Sequence, residues 1–268
     1  MGAKRLPRKV IDEQGPRRRV HGEWLGHTPV PGEPLLLYIH GSGYVGCSPG
    51  THRALVSELS RRLERPAFSM TYRRAPEYRF PAAQDDALNA FLWLLNQGHL
   101  SSNIIVAGDS AGGHLALGLC AQLRELGIAQ PRAIIGFSAL VDPTWQAIEQ
   151  HPVASDPVVT LETLRKLVGL YMGTADPTDP RFAVATAVGP DLPPILLQAG
   201  ANELLSADSA YYGRALRAAG GSCEVQIWPG MFHVFQLGYH TLPEARAALD
   251  RVEVFVDAIE ARTRQNAG

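Results

Sequence analysis

The chain has 268 residues, 46% of them hydrophobic, enough for one large domain core and too little for two. Its 25 Lys and Arg nearly balance its 26 Asp and Glu, so no overall field recruits nucleic acid or an anionic membrane surface, although Lys4 to Arg19 is locally basic. No apolar run approaches membrane-spanning length, Met1-Gly2-Ala3-Lys4-Arg5-Leu6 carries no apolar leader, and Leu6 stands where a myristoylation signal needs Ser or Thr. Cys47, Cys120 and Cys223 lie far apart with no CxxC pair, which points away from a disulfide framework or zinc site and toward a reducing, cytoplasmic compartment.

In chain order, residues 1–19 read as a basic, poorly ordered tail and 20–268 as a single domain. Val20 to Leu25 is an outer strand, Thr28 to Pro34 a turn-rich connection, and Leu35 to Ile39 a strand buried on both faces. It runs into His40-Gly41-Ser42-Gly43, a loop of small residues. A helix follows from about Thr51, read as its cap, to Leu63, with Leu55, Leu59 and Leu63 at helical spacing. Ala67 to Tyr72 is the next strand, and Ala82 to Asn96 a helix with Leu88, Phe91, Leu92 and Leu95 on one face. Asn103 to Ala107 and Ala133 to Phe137 are further buried strands, with a helix opening at Gly113 between them.

The alternation lapses across about 143–191, where helical pieces near Thr144 to Glu149 and Thr160 to Met172 sit among Pro152, Pro157, Pro177 and Pro180. So long a run reads as a cap inserted over the sheet edge. The alternation resumes with strand Pro194 to Ala199, helix Ser206 to Ala219, strand Cys223 to Trp228 and helix Pro243 to Ala261. Short apolar runs alternating with helices predict an α/β fold with a mostly parallel central sheet covered on both faces.

Gly108-Asp109-Ser110-Ala111-Gly112 reads GxSxG and has an apolar strand before it and a helix after it. That context makes it a nucleophile elbow, a tight turn that presents Ser110 at the sheet edge. Serine is a weak nucleophile and needs a base oriented by an acid. In this architecture the partners follow in the order serine, acid, histidine, each in a loop after a strand. Glu203 follows the strand ending at Ala199, and His233 follows the strand ending at Trp228. His21, His27, His99, His151 and His240 have no such relation, and His114 reads as a packing residue. The loop from His40 to Gly43 is small enough to bring backbone amides to a developing oxyanion.

With these motifs in place, the sequence resembles the hormone-sensitive lipase family of α/β-hydrolases, in its small bacterial esterase branch. The resemblance runs from Gly22-Glu23-Trp24 onward through His40-Gly41-Ser42-Gly43-Tyr44, Thr51-His52-Arg53, Tyr72-Arg73-Arg74-Ala75-Pro76-Glu77, Phe80-Pro81-Ala82-Ala83, the elbow, Asp156-Pro157 and Met231-Phe232-His233. It implies an α/β-hydrolase fold with a small helical cap. It also implies that Ser110 is the nucleophile, His233 the base and Glu203 the acid, with the amides of Ser42, Gly43 and Ala111 as the oxyanion hole. Members cleave carboxylic esters, often with short acyl chains, without a cofactor or metal.

Three departures stand out. Ser42 replaces the middle glycine of the family loop, at a cost on the order of 1 kcal/mol if that position needs positive φ. The acid is Glu203 before Leu204, where many relatives have aspartate before proline. Only a short basic tail precedes Val20, where relatives usually carry a helical part of the cap, so the site is expected to be more open on one side. Among the polar residues near that strand end, Asn202 has no charge to stabilise an imidazolium, and Asp208 falls in the first helical turn, where it complements the helix dipole.

The reading is a serine carboxylesterase acting through an acyl-enzyme on a small-molecule ester, with no nucleic-acid or membrane partner. A homodimer is compatible with it. Rival readings are a lactonase or deacetylase of secondary metabolism, a cyclase built on the same scaffold, and a non-catalytic small-molecule receptor.

Overall fold

The computed structural model describes residues 6–142, 144–150 and 156–266. The first residues of the basic tail, together with His151 and Pro152, lie outside the described residues. Eight strands form one sheet in the order β1-β2-β4-β3-β5-β6-β7-β8. They are β1 Arg8–Gln14, β2 Arg19–Leu25, β3 Leu35–Ile39, β4 Ala67–Thr71, β5 Ile104–Asp109, β6 Ala133–Phe137, β7 Ile195–Gly200 and β8 Cys223–Trp228. β4, β3, β5, β6, β7 and β8 run parallel, while β2 pairs antiparallel with both β4 and β1.

Of the parallel strands, β3, β5, β6 and β7 are buried throughout, β4 all but Thr71, and only the outer strand β8 is largely uncovered; alternate residues feed two separate cores. Leu35, Leu37, Ile39, Val106, Ile134 and Leu197 point to one face. There they pack under α2 Ala82–Asn96, α3 Ala111–Glu125 and α6 Leu205–Ala218. Leu36, Tyr38, Ile105, Ile135 and Leu196 point to the other, under α1 Pro49–Arg62 and α7 Pro243–Asn266. Full burial of each such side chain contributes about 1.5–3 kcal/mol. Because the strands are parallel, their C-terminal ends share one edge, and the loops that follow β3, β5, β6, β7 and β8 meet there.

Two local expectations change. Ser48, rather than Thr51, caps α1, and Thr51 sits one turn in, its hydroxyl accepting the Ser48 amide at 3.2 Å. Residues 8–14 of the expected tail form β1, which pairs with β2 along its whole length. The turn between them is fixed by Asn89 of α2, whose Oδ1 accepts the amides of Arg17 and Arg18 at 2.8 and 3.2 Å. Its Nδ2 donates to the Arg18 carbonyl at 2.9 Å. β1 escapes sequence patterning because it is an outer strand in which only Ile11 is buried.

Between β6 and β7 lie α4 Gln146–Gln150 and α5 Leu161–Met172. Tyr171 of α5 stacks on Tyr44 with ring centroids 4.1 Å apart. Leu167 of α5 covers Gly43 so closely that a Cβ there would lie 2.6 Å from its Cδ1. α5 therefore packs directly on the loop after β3.

Candidate active site

β5 ends at Asp109 and α3 begins at Ala111, so the strand-to-helix turn consists of Ser110 alone. Its backbone is at φ 51, ψ −120. A non-glycine residue held there costs about 1–3 kcal/mol and persists only where its surroundings over-determine it. They do: the Ser110 amide donates to the Phe137 carbonyl at 2.8 Å, and its carbonyl accepts from His114 and Leu140 at 3.1 and 3.3 Å. The flanking glycines are required by close approach. A Cβ at Gly112 would lie 2.0 Å from the Ile39 carbonyl oxygen, and one at Gly108 2.5 Å from that of Gly112.

The loops after β7 and β8 bring the other two expected residues to this turn. His233 Nε2 lies 3.1 Å from Ser110 Oγ. On the far side of the ring, Nδ1 is 3.8 Å from Glu203 Oε2, an ion-pair distance longer than a hydrogen bond. Glu203 is fully buried, and its Oε2 accepts from the Ser138 hydroxyl at 2.8 Å. Burial pushes the Glu203 carboxyl up to about 8, against the hydrogen bonds from Ser138 and the Gly200 backbone; the nearby carboxylates Asp156 and Asp208 push it the same way as burial. Burial likewise holds the His233 imidazole below its ordinary value, so it is neutral and able to accept a proton at neutral pH.

The loop after β3 completes the cluster. Its left-handed residues are Gly43, Tyr44 and Cys47, at φ 56, 66 and 57, and Ser42 is not among them. The strain considered for Ser42 therefore does not arise. Instead the Ser42 hydroxyl meets the Tyr72 hydroxyl at 2.5 Å, and Tyr72 donates to the His40 carbonyl at 2.8 Å. The amides of Ser42, Gly43 and Ala111 donate to no carbonyl among the described residues.

Beneath the loop, Asp109 Oδ1 accepts from the Tyr38 hydroxyl at 2.7 Å and the Gly41 amide at 2.9 Å, and Oδ2 meets His52 Nε2 at 3.1 Å. Burial alone would raise the Asp109 carboxyl, but these donors outweigh it and hold the group below its usual value. His52 shows the balance in reverse. Burial pulls it down and Asp109 more than restores it. His40 has no such partner, and burial pushes it to about 4.

Asp208 is more than a helix-dipole partner. It is fully buried, and its Oδ2 accepts the amides of Val141 and Asp142 at 2.6 and 3.0 Å. Burial pushes this carboxyl up to about 7 despite those bonds. It fixes the chain after β6 and makes no hydrogen bond or ion pair with His233 among the described residues. Of the other histidines, His114 packs as expected, its Nε2 on the Phe182 carbonyl at 2.8 Å, while His21 and His27 pair with Asp12 and Glu33 away from the cluster. Tyr72 and Asp109 lie within motifs legible in the sequence, but nothing there shows their partners, and Ser138 lies in none of those motifs. The only signal for Ser138 is that it immediately follows a buried strand between the elbow and the acid. A groove of about 770 Å³ also lies away from this cluster, against α1, Arg8 and Tyr239.

The profile of the alpha/beta hydrolase fold matches residues 36–237. An acetyl-hydrolase of Streptomyces hygroscopicus is 34% identical over 236 residues, spanning 87% of this chain and 78% of that protein. The esterase LipU of Mycobacterium tuberculosis is 30% identical over 240 residues, spanning 86% and 80%. The crystal structure of an esterase from the bacterial hormone-sensitive lipase family aligns with a TM-score of 0.85 at 31% identity, covering 96% of this chain and 86% of that one. A serine at a strained strand-to-helix turn, a histidine on it and a sheet of this order thus agree with likeness along nearly the whole chain, which belongs to the α/β-hydrolases, in their bacterial hormone-sensitive lipase family.

Proposed function

We propose that Ser110 is the nucleophile of a carboxylic ester hydrolase, with His233 as its base and Glu203 as the acid. The observation that carries this reading is the 3.1 Å approach of His233 Nε2 to Ser110 Oγ, with a buried carboxylate on the other side of the imidazole. Ser110 Oγ attacks the ester carbonyl carbon while Nε2 takes its proton, and the imidazolium is stabilised by Glu203. The carbonyl oxygen, now an oxyanion, accepts from the amides of Ser42, Gly43 and Ala111. Collapse breaks the bond to the alcohol oxygen, which leaves with the proton from Nε2. Water then attacks the acyl carbon, His233 again taking the proton; the bond to Ser110 Oγ breaks as Nε2 returns that proton to it, and the carboxylic acid is released.

The substrates are small esters with short acyl chains. Leu167 lies over Gly43 and limits the space beside the oxyanion site, and one relative is an acetyl-hydrolase. The acetyl ester of a small metabolite fits this reading as well as a simple alkyl ester. Three unpaired cysteines support placing the enzyme in the cytoplasm.

The test is a rate panel of nitrophenyl esters from acetate to decanoate, with several lactones, run beside Ser110→Ala and a fluorophosphonate label. The wild type should be labelled and fastest on the shortest esters. The variant should be unlabelled, with turnover lower by on the order of 10⁴- to 10⁶-fold. Labelling that persists in Ser110→Ala overturns the assignment, and a maximum at decanoate overturns the chain-length reading.

A further inference from the structure

The residue after β6, Ser138, bonds both to the loop that carries Glu203 and to the loop that carries His233. The Ser138 amide donates to the Gln198 carbonyl of β7 at 2.7 Å. Its hydroxyl donates to Glu203 Oε2 at 2.8 Å and accepts from the Val234 amide at 2.9 Å. Val234 follows His233 and is itself left-handed, at φ 50. On either side of Ser138, the Phe137 carbonyl and the Leu140 amide hold the backbone of Ser110. Ser138 is fully buried and also lies at positive φ, 49. So strained and enclosed a position persists only because its neighbours fix it.

We infer that Ser138 is the positioning residue of the catalytic acid, its hydroxyl clamping the glutamate loop to the histidine loop so that Glu203 Oε2 faces the imidazole. The inference rests on the proposed roles of Ser110, His233 and Glu203. A hydroxyl has one proton, and the Val234 amide is itself a donor, so the Ser138 proton goes to Glu203. That fixes which carboxyl oxygen lies toward His233. Oε1 has no partner among the described residues, and Nδ1 of His233 has none either. Without the hydroxyl, Oε2 loses its side-chain donor, and a rotation of the carboxyl takes the acid off the ring.

The hydroxyl also favours the charged form of Glu203, because it donates to it. The other groups that face this carboxyl are His233, Asp156 from the stretch before α5, and Asp208 from α6; the two carboxylates push it toward the neutral form. Loss of Ser138 Oγ thus leaves Glu203 harder to ionise. The form competent to deprotonate Ser110 has Glu203 charged and His233 neutral, so its onset should move to higher pH.

The experiment uses Ser138→Ala and Ser138→Gly in the full chain. Glycine accepts positive φ without strain, so the second variant guards against a folding defect. Both should lower kcat by about 10- to 100-fold, the range for a lost hydrogen bond to a charged group. KM should stay within about threefold, and the acid limb of the pH profile should move upward. In a Glu203→Gln background either substitution should cost little further activity. Four outcomes overturn the inference: wild-type kcat and pH profile in both variants, a rise in KM alone, the same fold loss with and without Glu203, or a loss that merely tracks the unfolded fraction. A wild type that neither hydrolyses esters nor is labelled at Ser110 overturns the proposed function, and this inference with it. An active, labelled wild type with unaffected Ser138 variants overturns only the inference.

Discussion

Glu203 and Asp208 are both fully buried carboxyls beside the same strand end, yet their partners divide them. Glu203 has an imidazole 3.8 Å away, whereas Asp208 has two backbone amides. Glu203→Gln should therefore lower turnover by orders of magnitude, by analogy with the roughly 10⁴-fold loss when a triad aspartate becomes its amide. Asp208→Asn keeps one accepting oxygen for two donors. It should leave turnover near normal and lower stability by about 1–3 kcal/mol, the cost of a compromised buried hydrogen bond. Turnover and denaturation midpoints of both variants decide it, and a severe kinetic loss in Asp208→Asn alone would move the acid there. The raised Glu203 carboxyl also sets the pH dependence of the wild type. With the group at about 8, kcat/KM should climb from pH 6 through about pH 8. In any residual activity of Glu203→Gln the limb should fall back to that of the imidazole alone, which burial holds below its usual 6.5. A wild-type profile already flat from pH 6 would count against this coupling.

At the scale of elements, two contacts carry separable consequences. The β1–β2 hairpin hangs on Asn89, which makes three hydrogen bonds to its turn. Asn89→Ala should cost about 1–3 kcal/mol of stability and leave kcat unchanged, because β1 is the edge strand, separated by β2 and β4 from the strands that carry the proposed site. Urea denaturation beside an ester assay reads both, and a large kinetic loss would show that the hairpin reaches the site. α5 acts at the other end of the molecule's chemistry. Leu167 closes the space beside Gly43, and Leu167→Ala opens it. The ratio of decanoate to acetate hydrolysis should rise by about tenfold or more, since each methylene accommodated in an apolar pocket is worth about 1–3 kcal/mol. An unchanged ratio would place the acyl chain away from α5.

For the whole molecule, the buried carboxyls tie stability to pH. Glu203 moves from 4.5 to about 8 and Asp208 from 3.8 to about 7, so the folded state binds their protons more tightly than the unfolded chain does. The stability they contribute is fully present below their unfolded values and is lost as pH rises through about 7 and about 8. His233 has the opposite sign, since its lowered folded-state value costs stability as pH falls below 6.5. Wild-type denaturation midpoints should consequently fall between about pH 6 and pH 9, and fall less in the Glu203→Gln/Asp208→Asn double variant. Parallel declines in the two proteins would show that these carboxyls are not the source.

The parallel strands, the helices between them, the elbow at Ser110 and the order of Ser110, Glu203 and His233 were legible in the sequence, because each is written locally. A strand buried on both faces must be a continuous apolar run, and a turn of one residue must be flanked by glycines where a Cβ would lie only 2.0 and 2.5 Å from a backbone oxygen. β1 was not legible, since an edge strand with one buried residue has no pattern to read. Nor was the burial of Asp208, or the meeting of Ser42 with Tyr72 and of Ser138 with Glu203 and Val234, residues 30, 65 and 96 positions apart. A hydroxyl's partner is set by which strand ends lie side by side. Strand order is a property of the packed sheet, so only the tertiary structure decided which small polar residues hold the loops of Glu203 and His233.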